Sequence, residues 1–185
     1  MHVSKHHYAI SLAKSGNKVF FLCPESPNTQ KKIRIAITEN PAHRGLFIIH
    51  HNYLFPYKIK FHNRAIYNFL VKFHIKRILR KIPVKLDVIW SFDLGNYFPL
   101  SLFPSSQIKI FHPVDESSHK DSINAAKGAD MIFSVTNEII IKYEKLKVPK
   151  YLINHGLADE FITTEPISLK NNSVEIFQDR KSTRL

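Results

Sequence analysis

The chain is poor in the residues that most readily announce a chemistry. Its 185 residues include one cysteine, one tryptophan and only five glycines, with 15 acidic side chains against 27 Lys and Arg. A single cysteine excludes a disulfide scaffold and the paired-cysteine zinc patterns. Cys23 follows the apolar run of residues 19–22 and reads as a buried, inert thiol of a reducing cytoplasm. The glycines form no phosphate-cradling loop, no Gly-x-Ser-x-Gly elbow and no dinucleotide fingerprint, which argues against kinase, hydrolase and nicotinamide-dependent readings. No apolar run reaches the ~18 residues of a membrane span, and Met1 leads into a His-rich helical segment instead of a secretory leader. The histidine pairs His6-His7 and His50-His51 are adjacent and lack the i, i+4 spacing of a helical metal site, so neither a metal nor a cofactor is expected.

What is present is a globular composition with a strong positive bias. Hydrophobic residues make up 44% of the chain, enough for a real core, and the formal charge is +12. Such a charge favours anionic partners: phospholipid headgroups, nucleic acid or phosphorylated substrates. Residues 179–185, Asp-Arg-Lys-Ser-Thr-Arg-Leu, look like a translated sequencing adapter. That tail carries a net +2, so the remainder stays near +10.

Residues 3–15 have helical spacing and close at Gly16; residues 18–23, 33–37 and 46–50 read as strands separated by Pro, Gly and polar loops. A long helix is expected over residues 63–82, stopped by Pro83. From Asp87 to Phe161 the pattern reads as strand, turn and helix three times over, the signature of a parallel sheet. The expected fold class is α/β, a Rossmann-like, doubly wound, mostly parallel sheet over residues 1–165, with residues 166–178 as a linker. Because such domains begin with a strand, and the first element here is a helix, the first strand is expected to be missing.

Three apolar runs end in polar residues at what should be the carboxyl edge of the sheet: residues 86–93 ending in Asp93, 108–112 ending in His112, and 130–136 ending in Thr136. Open α/β sheets bind ligands at that edge. Asn96, Asp115, Glu116 and Asn137 follow these strand ends closely. Alternative roles are ordinary: His112 as a structural histidine, Asp115 and Glu116 in a loop ahead of a helix capped by Ser117 or Ser118, and Thr136 or Asn137 as a helix start.

The long helix carries Val71, Ile75, Ile78, Leu79 and Ile82 at i, i+4, i+7, i+8, i+11, with Lys72, Lys76, Arg77, Arg80 and Lys81 around the other side. A second stripe, Ile66, Phe69, Leu70 and Phe73, lies nearly opposite the first. One stripe should cover the sheet. The other could meet a neighbouring element or an anionic membrane surface, the five bases facing the lipid at about 1 kcal/mol each.

These residues together resemble a family. Ser4 to Ala9 with Leu12 to Leu22, then Asp87-Val88-Ile89-Trp90-Ser91-Phe92-Asp93, His112-Pro113-Val114-Asp115-Glu116, Gly128-Ala129-Asp130 with Val135-Thr136-Asn137-Glu138, and Asn154-His155-Gly156 occur in the order and spacing of the amino-terminal, acceptor-side domain of bacterial glycosyltransferases of the two-Rossmann-domain (GT-B) type, family 4-like. The resemblance spans residues 2–165. It implies retaining, metal-independent transfer of a sugar from a nucleotide sugar to a glycan or lipid-linked acceptor, in polysaccharide or cell-envelope synthesis at the cytoplasmic membrane face. It further implies that the donor-binding domain follows the linker, so the fragment alone is inactive. On this resemblance His112 is the catalytic-cleft residue facing the sugar, with Pro113 where an acidic residue is common. Asp93, Asn96, Asp115, Glu116, Thr136 and Asn137 line the substrate site, and His155 and Gly156 form its closing turn. A basic RNA- or phosphate-binding module and a sugar-nucleotide epimerase of the same fold are the alternatives, nucleic acid being disfavoured because the aromatics sit mostly in apolar runs.

Overall fold

The computed structural model describes residues 4–25, 35–115 and 120–153. All of them fall within one compact unit, Met1–His155. The elements run α1 (Ser4–Lys14), β1 (Val19–Leu22), β2 (Ile35–Glu39), β3 (Leu46–His51), α2 (Ile59–His62), α3 (Arg64–Lys81), β4 (Val88–Ser91), a 3-10 turn at Leu100–Leu102, β5 (Ile108–Phe111), α4 (Lys120–Ala125), β6 (Met131–Ser134), α5 (Asn137–Ile141) and β7 (Lys150–Leu152). The strands form two sheets, ordered β1-β3-β2 and β4-β5-β6-β7. The second is parallel throughout, and this mixed α/β architecture with its helices is Rossmann-like.

Side-chain alternation explains the layers of the first sheet. Val19 and Phe21 of β1 and Leu46 and Ile48 of β3 pack against Ala9, Ala13 and Ile10 of α1. The intervening Phe20, Leu22 and Ile49, with Ile35 and Ile37 of β2, pack against Ile78 and Leu79 of α3 and Ile82 just after it. A period of two in the strands thus meets a period near 3.6 in the helices on either face. The core-facing stripe of α3 is the expected one, with Val71, Ile75, Ile78 and Ile82 buried. Asn63 caps the helix by accepting a 3.0 Å hydrogen bond from the Ile66 N–H.

In the second sheet Phe111 and Ile132 anchor a core with Leu100, Ala125, Ala126, Ala129, Ile139 and Tyr143. Gly128 is required there: its φ is +85°, and a Cβ would lie 2.7 Å from the Ser101 backbone.

One expectation needs correction, and two features go beyond the sequence reading. β2 is antiparallel to β3, because the turn at residues 40–45 folds the chain straight back and leaves no room for a crossover. No α-helix joins β4 to β5; Pro99 and Pro104 flank the single 3-10 turn of that connection, each lacking the N–H a continuing helix needs. The threefold strand-turn-helix pattern therefore holds only from β5 onward. α2 was also not expected. It is a four-residue helix whose Lys60 is buried.

Candidate functional site: the carboxyl edge of the parallel sheet

β4, β5 and β6 are adjacent and parallel and end at Ser91, Phe111 and Ser134. Asp93, His112 and Thr136 therefore follow the same edge of one sheet, as the strand ends predict.

Asp93 opens a loop that is held with unusual thoroughness. Its Oδ2 accepts a 2.8 Å bond from the Phe98 N–H. Three side chains spaced along α2 and α3 grip successive carbonyls of the loop. Lys60 Nζ donates to Gly95 O. Arg64 donates to Asn96 O at 2.7 Å, and the Tyr67 hydroxyl donates to Tyr97 O at 2.9 Å. Positions 60, 64 and 67 have the spacing of one helical face, a signal present in the sequence but hidden by the break at Asn63. Lys60 also pairs with Asp121 of α4 at 3.1 Å and lies 4.2 Å over the Tyr97 ring. Asn96 sits at φ +53°, a left-handed conformation that asparagine tolerates. It is buried. Burial pushes the Asp93 carboxyl above its ordinary value, while bonds from the Phe98 and Tyr97 backbone and the Lys60 charge pull the other way.

His112 continues directly from β5, its N–H donating to Ser91 O at 2.8 Å. Its imidazole is 0% exposed. It sits in a box of rings: Phe92 at 5.0 Å, Tyr8 at 5.3 Å, Trp90 at 5.8 Å and Phe133 at 6.1 Å between centroids. Any ligand that touches the imidazole therefore has to displace one of these rings. Next to it, the buried Ser134 hydroxyl donates to Pro113 O at 2.9 Å and ties the ends of β5 and β6 together.

Thr136 is the N-cap of α5, its Oγ1 accepting from the Ile139 N–H at 3.4 Å. The expected helix-start role is what the structure places there, and the substrate role assigned by resemblance has to share that oxygen. Asn137 and Asp115 are exposed. Glu116, Ser117, Ser118, His155, Gly156, the linker 166–178 and the tail 179–185 lie outside the described residues. Among the described residues, no group of three or more His, Cys, Asp or Glu is placed to hold a metal ion.

On α3, Lys72, Lys76, Arg80 and Lys81 are exposed, and Arg77 is half-buried. In the second apolar stripe Ile66, Phe69 and Phe73 are 50%, 62% and 52% exposed, while Leu70 is half-buried. Phe69 and Phe73 meet edge to face at 4.9 Å, and Lys76 reaches over Phe73. The bases and the phenylalanines therefore share one outward face. No helix among the described residues is long and apolar enough to cross a membrane.

Behind Phe98 of the Asp93 loop lies a pair that sequence reading missed. His51, the last residue of β3, and His74 of α3 are both 2% exposed, with His74 Nε2 3.1 Å from His51 Nδ1. Tyr53 and Phe98 pack on both rings. Desolvation lowers each imidazole from 6.5 to about 4.

No protein family, curated protein or solved structure matches the chain.

Proposed function

We propose that this chain is the acceptor-side domain of a glycosyltransferase that moves a sugar from a nucleotide sugar to a glycan or lipid-linked acceptor, and that transfer requires a separate donor-binding domain. The observation that carries the reading is the carboxyl edge: Asp93, His112 and Thr136 follow the ends of three adjacent parallel strands, where open α/β sheets hold ligands. Three of the motifs that bear the family resemblance, at residues 87–93, 112–116 and 135–138, include the strand ends of this edge. Asp93 is the residue best suited to orient an acceptor hydroxyl, since a carboxylate accepts from several donors at once and its loop is rigidly held. His112 underlies the edge and meets the sugar once one of the surrounding rings turns away.

The exposed face of α3 supports a membrane-proximal acceptor. Four exposed bases at about 1 kcal/mol each would give roughly 4 kcal/mol on an anionic leaflet before ordering costs, and Ile66, Phe69 and Phe73 add apolar area. That amounts to weak, reversible attachment.

The deciding experiment is to read the source DNA across both ends of this frame. A following Rossmann-like domain with a carboxylate-bearing donor site supports the proposal, and the full enzyme then permits a transfer assay with His112→Ala and Asp93→Asn. A stop near Gln178 with no such domain overturns it. A basic RNA-binding module is the second reading, because phenylalanines and lysines share the α3 face. Steeply salt-sensitive oligonucleotide binding with indifference to anionic vesicles would favour that module.

A further inference from the structure

Phe98 belongs to two neighbourhoods at once. Its backbone N–H donates to Asp93 Oδ2 at 2.8 Å and closes the loop that follows β4. Its ring meets His51 edge to face, at 89° with centroids 5.4 Å apart, stacks on Tyr53 at 5.8 Å and lies 6.3 Å from His74. The carbonyls that precede it, on Gly95, Asn96 and Tyr97, are held by Lys60, Arg64 and Tyr67. Phe98 thus anchors the end of the loop by one bond to Asp93 and by the seat of its ring on the histidine pair.

That pair is built for neutral rings. The 3.1 Å contact between His74 Nε2 and His51 Nδ1 holds one N–H between them. The outer nitrogens, His51 Nε2 and His74 Nδ1, are buried and make no well-formed hydrogen bond among the described residues. Burial is the main reason each ring resists a charge, and His50 of β3, Arg77 of α3 and the companion ring add to it. Only the Cys23 backbone, just past β1, favours a positive charge there. The remaining groups nearby offer no counter-charge to the rings. Burial pushes the Cys23 thiol up and the Tyr53 phenol far up, the latter with help from Tyr67, Asp93 and Glu25, so both stay neutral. Glu25 accepts from the Tyr53 N–H at 3.1 Å, Lys60 acts on Asp93 and Arg64 on Tyr67. A buried ring that gains a proton without a partner has to turn to find one.

We propose that the His51–His74 pair is a proton-operated latch on the Asp93 loop: a proton added to the pair turns one ring outward, unseats Phe98 and breaks its bond to Asp93. The inference rests on the reading of Asp93 as a ligand group of the carboxyl edge and adds a condition to it. The edge is assembled while the pair is neutral and comes apart in acid. With both rings lowered from 6.5 to about 4, the latch is shut at neutral pH and opens as the pH falls toward 4. Asp93 responds in the same direction. Burial already pushes its carboxyl up, and the Phe98 N–H is the foremost group pulling it down, so losing that bond raises it further and lets it take a proton of its own. A protonated carboxyl accepts from fewer donors than a carboxylate. Coupling is reciprocal: whatever needs the ionised Asp93 with its Phe98 bond also holds the histidines neutral.

The test follows the full chain by nuclear magnetic resonance between pH 7.5 and pH 5, reading the ring carbons of His51 and His74, the Phe98 amide and the Asp93 carboxyl carbon together. At pH 5 about a tenth of each ring is protonated, so all of these signals are expected to start moving along one curve. His51→Phe/His74→Phe keeps two rings under Phe98 and removes their protons, and its Phe98 amide should move far less. Asp93→Ala removes the opposing hold on Phe98, and the protonated fraction of the rings at pH 5 should then rise about threefold. A Phe98 amide that stays flat to pH 5 in the parent, or moves equally in parent and double variant, overturns the latch. An unchanged ring population in Asp93→Ala overturns it as well. No ligand enters the measurement, so the two readings fail separately. A coupled Phe98 in a chain whose full enzyme transfers no sugar keeps the latch and removes the glycosyltransferase, and an uncoupled Phe98 in an active enzyme does the reverse.

Discussion

The buried His51–His74 pair should make the fold acid-sensitive in a defined window. In the unfolded chain each imidazole takes a proton near pH 6.5, while in the folded protein desolvation holds both near 4. The unfolded state therefore binds more protons throughout the interval between. Stability is fully present above about pH 6.5, falls as the pH drops toward 4, and levels below it. Lowering one ring from 6.5 to about 4 corresponds to roughly 3 kcal/mol when fully expressed, at ~1.4 kcal/mol per pH unit, and to roughly 2 kcal/mol at pH 5. A 3.1 Å contact between two ring nitrogens works with one shared proton and tolerates a second added proton poorly, so the pair resists full protonation more than either ring alone. With both rings contributing, about 4 kcal/mol in all, and urea slopes of ~1–3 kcal/mol/M, the midpoint of unfolding should drop by about 2 M between pH 7.5 and pH 5. The double variant His51→Phe/His74→Phe keeps two rings in the site and removes the protons. Its midpoint should move much less over the same interval. If parent and variant lose the same amount, the pair is not the origin of the acid sensitivity and the argument from burial fails.

Three further outcomes follow from the packing and the surface. Ile132→Ala, at a fully buried position in the core of the parallel sheet, should cost about 2–5 kcal/mol by chemical denaturation. Asn63→Ala removes the α3 cap and should cost about 1 kcal/mol, while Asn63→Asp, which can still accept from the Ile66 N–H, should lose far less. Replacing Lys72, Lys76, Arg80 and Lys81 with Glu should abolish sedimentation with anionic vesicles at low salt and leave the circular dichroism spectrum intact; unchanged vesicle binding would refute the membrane role of this face.

Much of the architecture was legible because it rests on local periodicity. The buried stripe of α3, its start after Asn63 and its stop before Pro83 follow from spacing and two terminal residues. β5 and β6 are short apolar runs bounded by polar residues, and their ends fall within one or two positions of expectation. The antiparallel β2 was less legible, since the Pro41 to Gly45 turn signal competed with the alternation of strands and helices elsewhere. The helix expected after β4 failed because the apolar residues of 92–107 pack from an irregular loop, which Pro99 and Pro104 already favoured. At the candidate site, the strand-end residues could be named in advance, but the ring box over His112 could not. It depends on Tyr8, which is distant in sequence. Lys60 was invisible for a related reason: a lysine between Ile59 and Phe61 in a basic stretch reads as solvated, and only the tertiary fold supplies Gly95, Tyr97 and Asp121 as its partners.

The antiparallel pairing of β2 with β3 also bears on the order in which the molecule assembles. That hairpin closes across the six residues 40–45, whereas the parallel pairing of β1 with β3 closes across 23–45, and every contact in the second sheet needs a crossover of its own. Short closures lose less chain entropy before they are rewarded by contacts, and hairpins form within about 1–10 μs. β3 is therefore expected to exist first as half of a hairpin and to serve as the template on which β1, and with it α1, later docks. Conservative truncations at Thr38 and Ile48 should then slow folding, while truncations in β6 should mainly speed unfolding.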